Sequence, residues 1–104
     1  MSFSKILTNI NIPNQEIEHF CERYHILRLS LFGSVLREDF THQSDVDVLV
    51  EFESGKTPGI AIITMEDELS EIINRKIDLR TPADLSRYFR EEVQKEALVI
   101  YEQN

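Results

Sequence analysis

Apolar residues recur along this chain with two periods, and each change of period marks out an element. Ile17, Phe20 and Cys21 stand at the i, i+3, i+4 spacing of a buried helical stripe. That spacing predicts a helix over residues 15–24, with Asn14 as its cap. Leu27, Leu29 and Leu31 then alternate with Arg28 and Ser30, the two-residue period of a strand over 25–32. Gly33-Ser34 ends that strand abruptly, and residues 35–38 read as a short helix. After the polar stretch 41–44, a second strand is predicted over 45–52, apolar at Val46, Val48, Leu49, Val50 and Phe52. Residues 54–59, rich in Gly, Pro and Ser, form the clearest loop. Ile62, Met65, Leu69, Ile72 and Ile73 share one side of a helix over 60–74, and a third strand follows over 76–80. Pro82 suits the first turn of a helix capped by Thr81. A charged helix covers 90–96, and the apolar run 97–101 reads either as a helix end or as a short strand. The order α-β-α-β-α-β-α-α predicts an α/β fold, a small central mixed sheet with helices packed mainly on one face.

Composition narrows the class. A length of 104 residues suits one domain, residues 1–104, and is too short for two. Hydrophobic residues at 41% and charged residues at 29% argue against disorder. No apolar run approaches the roughly 20 residues that span a bilayer, and the first residues carry no leader pattern, so a cytoplasmic protein without membrane contact is expected. Cys21 is the single cysteine, which excludes an internal disulfide and a cysteine zinc cluster. His19, His25 and His42 are scattered without zinc-ligand spacing. Eleven Lys and Arg against 19 Asp and Glu leave a net charge of -8, which repels a polyanion. No direct nucleic-acid binding is expected; a basic protein partner, or a metal neutralising a carboxylate cluster, fits the sign. The acidic stretch of Glu66, Asp67 and Glu68 and the pair Glu91-Glu92 read as solvated faces, or as docking sites for a basic partner. Tyr88, Phe89 and Tyr101 read as core or partner-facing aromatics.

Three features carry candidate chemistry. Asp45-Val46-Asp47 opens an otherwise apolar strand, where residues i and i+2 share a face with Cα atoms about 6–7 Å apart. Two neighbouring anions there cost stability unless a cation sits between them, and Mg²⁺ takes hard oxygen ligands of this kind. Alone, such a pair also marks the solvated entry to a strand. Phe32-Gly33-Ser34 lies at a strand-to-helix junction, where glycine permits close backbone approach and exposed N–H groups suit a phosphate. By itself that junction is a common turn. Asp78 stands in the third strand, opposite in face to Ile77 and Leu79, and can join Asp45 and Asp47 if its strand neighbours theirs. It would then complete a metal pair or take a proton from an attacking hydroxyl.

Together, Gly33-Ser34, ten intervening residues, Asp45-x-Asp47 and a later strand Asp78 resemble the GS-x10-D-x-D pattern of the nucleotidyltransferase superfamily related to DNA polymerase β. The text of residues 31–37 and 44–52 is similar to its compact branch, the minimal nucleotidyltransferases (MNT). The resemblance runs from Ile26 to about Tyr101, with one departure at Glu38, where many relatives carry glycine. It implies that Gly33 and Ser34 hold the β/γ end of a nucleoside triphosphate and that Asp45 and Asp47 bind Mg²⁺. It also implies that Asp78 binds a second Mg²⁺ and helps deprotonate the acceptor, so that ATP is the substrate and pyrophosphate the leaving group. Arg37 reads equally as a phosphate contact or a surface residue.

Relatives that modify antibiotics, tRNA ends or primer strands carry further domains for their acceptors, and little follows the core here, so a second chain is expected to supply much of the acceptor site unless the substrate is very small. MNT proteins resemble antitoxins paired with a HEPN toxin, a helical ribonuclease, and the implied reaction is transfer of AMP to a toxin hydroxyl, commonly a tyrosine. Two alternatives stay open: an antitoxin that acts by binding alone, and a small-molecule nucleotidyltransferase working as a homodimer.

Overall fold

The computed structural model describes residues 10, 12–36 and 44–103, with Ser34 described by its backbone alone; Arg37, Glu38 and His42 lie outside the described residues. The elements are α1 (Asn14–Arg23), β1 (Ile26–Phe32), a 3-10 turn (Gly33–Leu36), β2 (Val46–Phe52) and α2 (Ala61–Ile73). They continue as β3 (Ile77–Arg80), a second 3-10 turn (Pro82–Asp84), α3 (Arg87–Glu96) and β4 (Leu98–Glu102). The strands form one sheet in the order β3-β2-β1-β4. β1 runs antiparallel to both β2 and β4, whereas β2 and β3 are parallel, so the sheet is mixed as expected.

One face of the sheet carries the core. Leu29, Leu31, Val46, Val48, Val50, Ile77 and Leu79 pack there against Ile17, Phe20 and Cys21 of α1 and Met65, Leu69 and Ile73 of α2. The predicted stripe of α1 is buried, and that of α2 is buried at Met65, Leu69 and Ile73 and partly buried at Ile62 and Ile72. Arg23 and the Tyr24 hydroxyl donate to the Glu68 carboxylate at 2.6 and 2.9 Å, tying the end of α1 to α2. Glu68 thus anchors one helix to another instead of belonging to a solvated acidic face. The Tyr24 hydroxyl holds its proton above the usual tyrosine range, chiefly because it donates to Glu68.

Several expectations change in detail. α1 begins at Asn14 itself, with Pro13 in the capping position; the extended Pro13 carbonyl accepts from the Ile17 N–H to start the helix, and no side chain caps it. Leu27 is exposed, although its spacing matches Leu29 and Leu31. A register shift between Ile26 and Arg28 inverts the alternation, so Ile26 turns into the core in its place. The residue 97–101 run is a strand at the sheet edge, beside β1, and not a helix end. Thr81 opens only a 3-10 turn, its N–H donating to the Asp84 carboxylate at 3.0 Å. Ser86 caps the separate helix α3, accepting from the Tyr88 N–H. None of the residues of α3 is buried, and Tyr88 is 89% exposed, so Tyr88 is no core aromatic. No helix among the described residues is long and apolar enough to cross a membrane.

Burial pushes the Cys21 thiol up to about 12, with the Glu22 carboxylate adding to the shift. An unfolded chain releases this proton near the ordinary value, the folded chain does not. The resulting stabilisation is complete below about pH 8.5 and is lost as pH rises towards the folded value. A thiol reagent at pH 8 is therefore expected to label Cys21 only at the rate of unfolding, with labelling accelerating in step with denaturant. Rapid labelling of the native protein would contradict the burial.

Candidate active site

The site lies on the sheet face opposite the two packed helices. β2 and β3 pair in register as Val46↔Ile77, Asp47↔Asp78 and Val48↔Leu79. The flanking apolar residues point into the core, so alternation turns both aspartates to the other face. Asp47 and Asp78 are half-buried neighbours on adjacent strands, and strands in a sheet stand about 4.8 Å apart. They line a cleft of about 340 Å³ together with Phe32, Arg80, Asp84 and Phe89.

Gly33 closes the other end of this arrangement. Phe32 pairs with Asp47 across β1 and β2, and the chain turns immediately afterwards at Gly33 with φ +72°. That left-handed conformation favours glycine. Space requires it too: a Cβ at Gly33 would overlap Oδ2 of Asp47 and stand 3.2 Å from its Cγ. The backbone of Gly33 thus lies directly against the Asp47 carboxylate. Ser34 follows within the 3-10 turn, whose Val35 is buried in the core. A second cleft of about 400 Å³ opens on the Gly33 side, lined by Leu36, Glu92 and Glu96 and sharing Phe32, Phe89 and Val93 with the first.

Asp45 stands just before β2, exposed and outside the lining of that cleft, with Lys76 Nζ 4.0 Å from its Oδ2. Its place beside Lys76 continues the register that pairs Asp47 with Asp78. Asp78 receives a forked contact from Arg80, Nε to Oδ1 at 3.1 Å and the second guanidinium nitrogen to Oδ2 at 3.3 Å. Asp78, then Asp84 and Asp47, hold the Arg80 guanidinium's proton above the usual arginine range. Among the described residues, no three of His, Cys, Asp and Glu are gathered into a ready-made metal cage. The donor chemistry nevertheless fits Mg²⁺. Carboxylate oxygens from adjacent strands face one cleft beside a backbone that has room for no Cβ, and no sulfur or imidazole lines that cleft among the described residues.

The position of Asp78 depends on α2. β3 is an edge strand, and its outward N–H groups find partners on the helix. Leu79 N–H donates to Glu66 Oε2 at 2.8 Å, and Ile77 N–H donates to the Ser70 hydroxyl at 3.2 Å. Glu66 is thus half-buried and structural, contrary to its expected solvated role. Its carboxylate does for this edge what a fifth strand would do. Glu66→Ala is expected to cost about 1–3 kcal/mol by stranding the Leu79 N–H. Glu66→Gln, which keeps an acceptor, should melt close to the parent in thermal unfolding followed by circular dichroism.

The pairing of β2 with β3 brings Asp47 and Asp78 together and Gly33 joins them, while Asp45 is not among the residues lining the cleft. Sequence reasoning misses Arg80, Glu66 and the cleft-lining role of Phe89. For Arg80 a signal exists, since residue i+2 from Asp78 must share its face.

Known proteins resemble this chain in sequence and in fold. The chain is 29% identical over 90 residues to a Methanocaldococcus jannaschii protein provisionally named a protein adenylyltransferase, covering 86% of this chain and 96% of that one. It is 29% identical over 80 residues to the protein adenylyltransferase MntA of Thermococcus cleftensis, covering 76% and 79% of the two chains. The fold matches, with a TM-score of 0.62 and 17% identity over 86% of this chain and 70% of the other, a chain in a solved complex of a tri-AMPylated Shewanella oneidensis HEPN toxin with MNT antitoxin. The profile of the family described as polymerase beta, nucleotidyltransferase, matches residues 15–104. With that match spanning most of its length, the chain belongs to the polymerase beta nucleotidyltransferase family.

Proposed function

We propose that this chain is a magnesium-dependent antitoxin enzyme that moves AMP from ATP to a hydroxyl, a tyrosine in the first instance, of a HEPN-type toxin. The observation that carries the reading is the register pair Asp47–Asp78 beside the Cβ-free turn at Gly33. The strand order sets Asp78 on β3, Asp47 on β2 and Gly33, just past the end of β1, side by side. In this reading the Gly33-Ser34 backbone receives the β and γ phosphates, Asp45 and Asp47 face the α-phosphate, and the acceptor hydroxyl arrives over Asp78. Asp45, Asp47 and Asp78 would hold magnesium, which when bound would supply charge neutralisation for the transferred phosphate. Asp78 takes the acceptor's proton as the new oxygen–phosphorus bond forms; the bond between the α-phosphorus and its bridging oxygen breaks, and pyrophosphate leaves. Such transfer relies on positioning and electrostatics more than on covalent help from the protein. The partner follows from relatives named protein adenylyltransferase and from the chain's net charge of -8, which suits a basic, RNA-binding target.

A second reading, an antitoxin that acts by binding alone, draws on the contacts that already occupy Asp45 and Asp78 with Lys76 and Arg80. One experiment separates the two. The chain is incubated with Mg²⁺, ATP and its partner toxin, and the toxin's intact mass is read. A gain of one or more AMP units supports transfer. A tight complex with unchanged mass supports binding alone, and AMP found on an added small-molecule alcohol supports the homodimeric small-molecule enzyme.

A further inference from the structure

We propose that Arg80 is the resident counter-ion of the carboxylate cleft and a positioning residue that couples divalent-metal loading to nucleotide loading. The inference rests on the reading of Asp47 and Asp78 as metal-binding carboxylates. Asp47, Asp78 and Asp84 all line the cleft, and among the described residues lining it Arg80 is the one cation. Its guanidinium engages both oxygens of Asp78, so a metal approaching Asp78 meets a site already held by a positive group.

This contact is built to be displaced. The Arg80 and Asp78 side chains are 49% and 38% exposed, and a half-exposed ion pair contributes little net stability. The two residues sit two apart on one short edge strand, so the guanidinium can leave Asp78 without moving the backbone. Once Asp78 turns to a metal, the guanidinium remains tethered in the same cleft with its donors unspent. Planar, forked donors of this kind suit phosphate oxygens. A nucleoside triphosphate therefore offers Arg80 a replacement partner at the moment the metal takes Asp78. Without nucleotide, Arg80 opposes the metal; with nucleotide, it supports the loaded state. Linkage makes the effect reciprocal, since whatever the nucleotide adds to metal affinity the metal adds to nucleotide affinity.

The test uses the full chain, with Mn²⁺ as the paramagnetic probe. Free and bound Mn²⁺ are counted by electron paramagnetic resonance, with and without a non-hydrolysable ATP analogue. Arg80→Gln is expected to bind Mn²⁺ about fivefold more tightly than the parent in the absence of nucleotide, the scale of one half-exposed ion pair. The gain in Mn²⁺ affinity on adding the analogue should shrink by a similar factor. Arg28→Gln removes the same charge from a residue paired with Glu51 and Glu102, four positions along β1 from Phe32, and should leave Mn²⁺ affinity unchanged. Equal Mn²⁺ affinities in Arg80→Gln and the parent, with binding still lost in Asp47→Asn, would overturn the role of Arg80 while the metal site stands. Equal tightening by Arg28→Gln would assign the effect to net charge and overturn it as well. Absence of Mn²⁺ binding in every variant, with the analogue present, would remove the metal-site reading and this inference with it.

Discussion

Asp47→Asn is expected to abolish AMP transfer while leaving the protein folded. The substitution keeps the side chain's shape, exchanges one accepting oxygen for an amide donor, and removes one negative charge from a cleft that Asp47 shares with Asp78 and Asp84. Like charges gathered at one site repel, so losing one of them does not weaken the fold; the melting midpoint should stay within the equivalent of about 1 kcal/mol of the parent. The transition state fares differently. In the proposed reaction negative charge would build on the phosphate oxygens, and a neutral amide would no longer hold the cation proposed to offset it. Loss of a comparable electrostatic element costs on the order of 10²–10³-fold in enzymes, and loss of a metal ligand belongs at or beyond the upper end. Intact-mass analysis of the toxin reads the transfer, and circular dichroism reads the fold. Transfer retained in the Asp45→Asn/Asp47→Asn double variant would defeat the assignment of these carboxylates to the metal.

How Asp47 comes to be paired with Asp78 shows where sequence reasoning reaches and where it stops. Alternation within each strand is a local property, and by itself it places Asp47 and Asp78 opposite their apolar neighbours. That β3 lies beside β2, parallel and in the register joining the two aspartates, is a long-range fact that no window of residues contains. The same divide explains the errors. Leu27 obeys the local pattern and is exposed because the pairing slips between Ile26 and Arg28. The run at 97–101 is locally ambiguous, and hydrogen bonding to β1 decides it for a strand. Glu66 sits in an acidic stretch that looks solvated, and only the unpaired edge of β3 gives its carboxylate a task. The contact between Arg80 and Asp78 is legible in principle, since both stand on one face of one strand. It escapes a sequence reading because charged residues at strand ends are usually solvent-facing.

Glycine substitutions at two positions with the same backbone demand separate folding from function. Gly33 and Gly55 both hold positive φ, +72° and +78°. Either one changed to alanine pays for a left-handed conformation, about 1 kcal/mol, or roughly 4–8 °C of melting midpoint in a domain of this size. At Gly55 nothing lies within 4 Å of the added Cβ, so the cost should end there, with transfer unchanged. At Gly33 the added Cβ would overlap Oδ2 of Asp47, so either the turn or the carboxylate must move. Moving the turn withdraws the backbone proposed to receive the phosphates, and moving the carboxylate spoils the pair with Asp78. Gly33→Ala should therefore match or exceed the stability loss of Gly55→Ala and, in addition, lose transfer by about 10²-fold or more, the scale of a misplacement near 1 Å. Calorimetric titration with a non-hydrolysable ATP analogue distinguishes the two routes, because a displaced turn weakens nucleotide binding directly and a rotated Asp47 weakens it only when Mg²⁺ is present. Undiminished binding and transfer in Gly33→Ala would mean that the nucleotide does not sit against this turn, and the catalytic reading of the cleft would fail at its first residue.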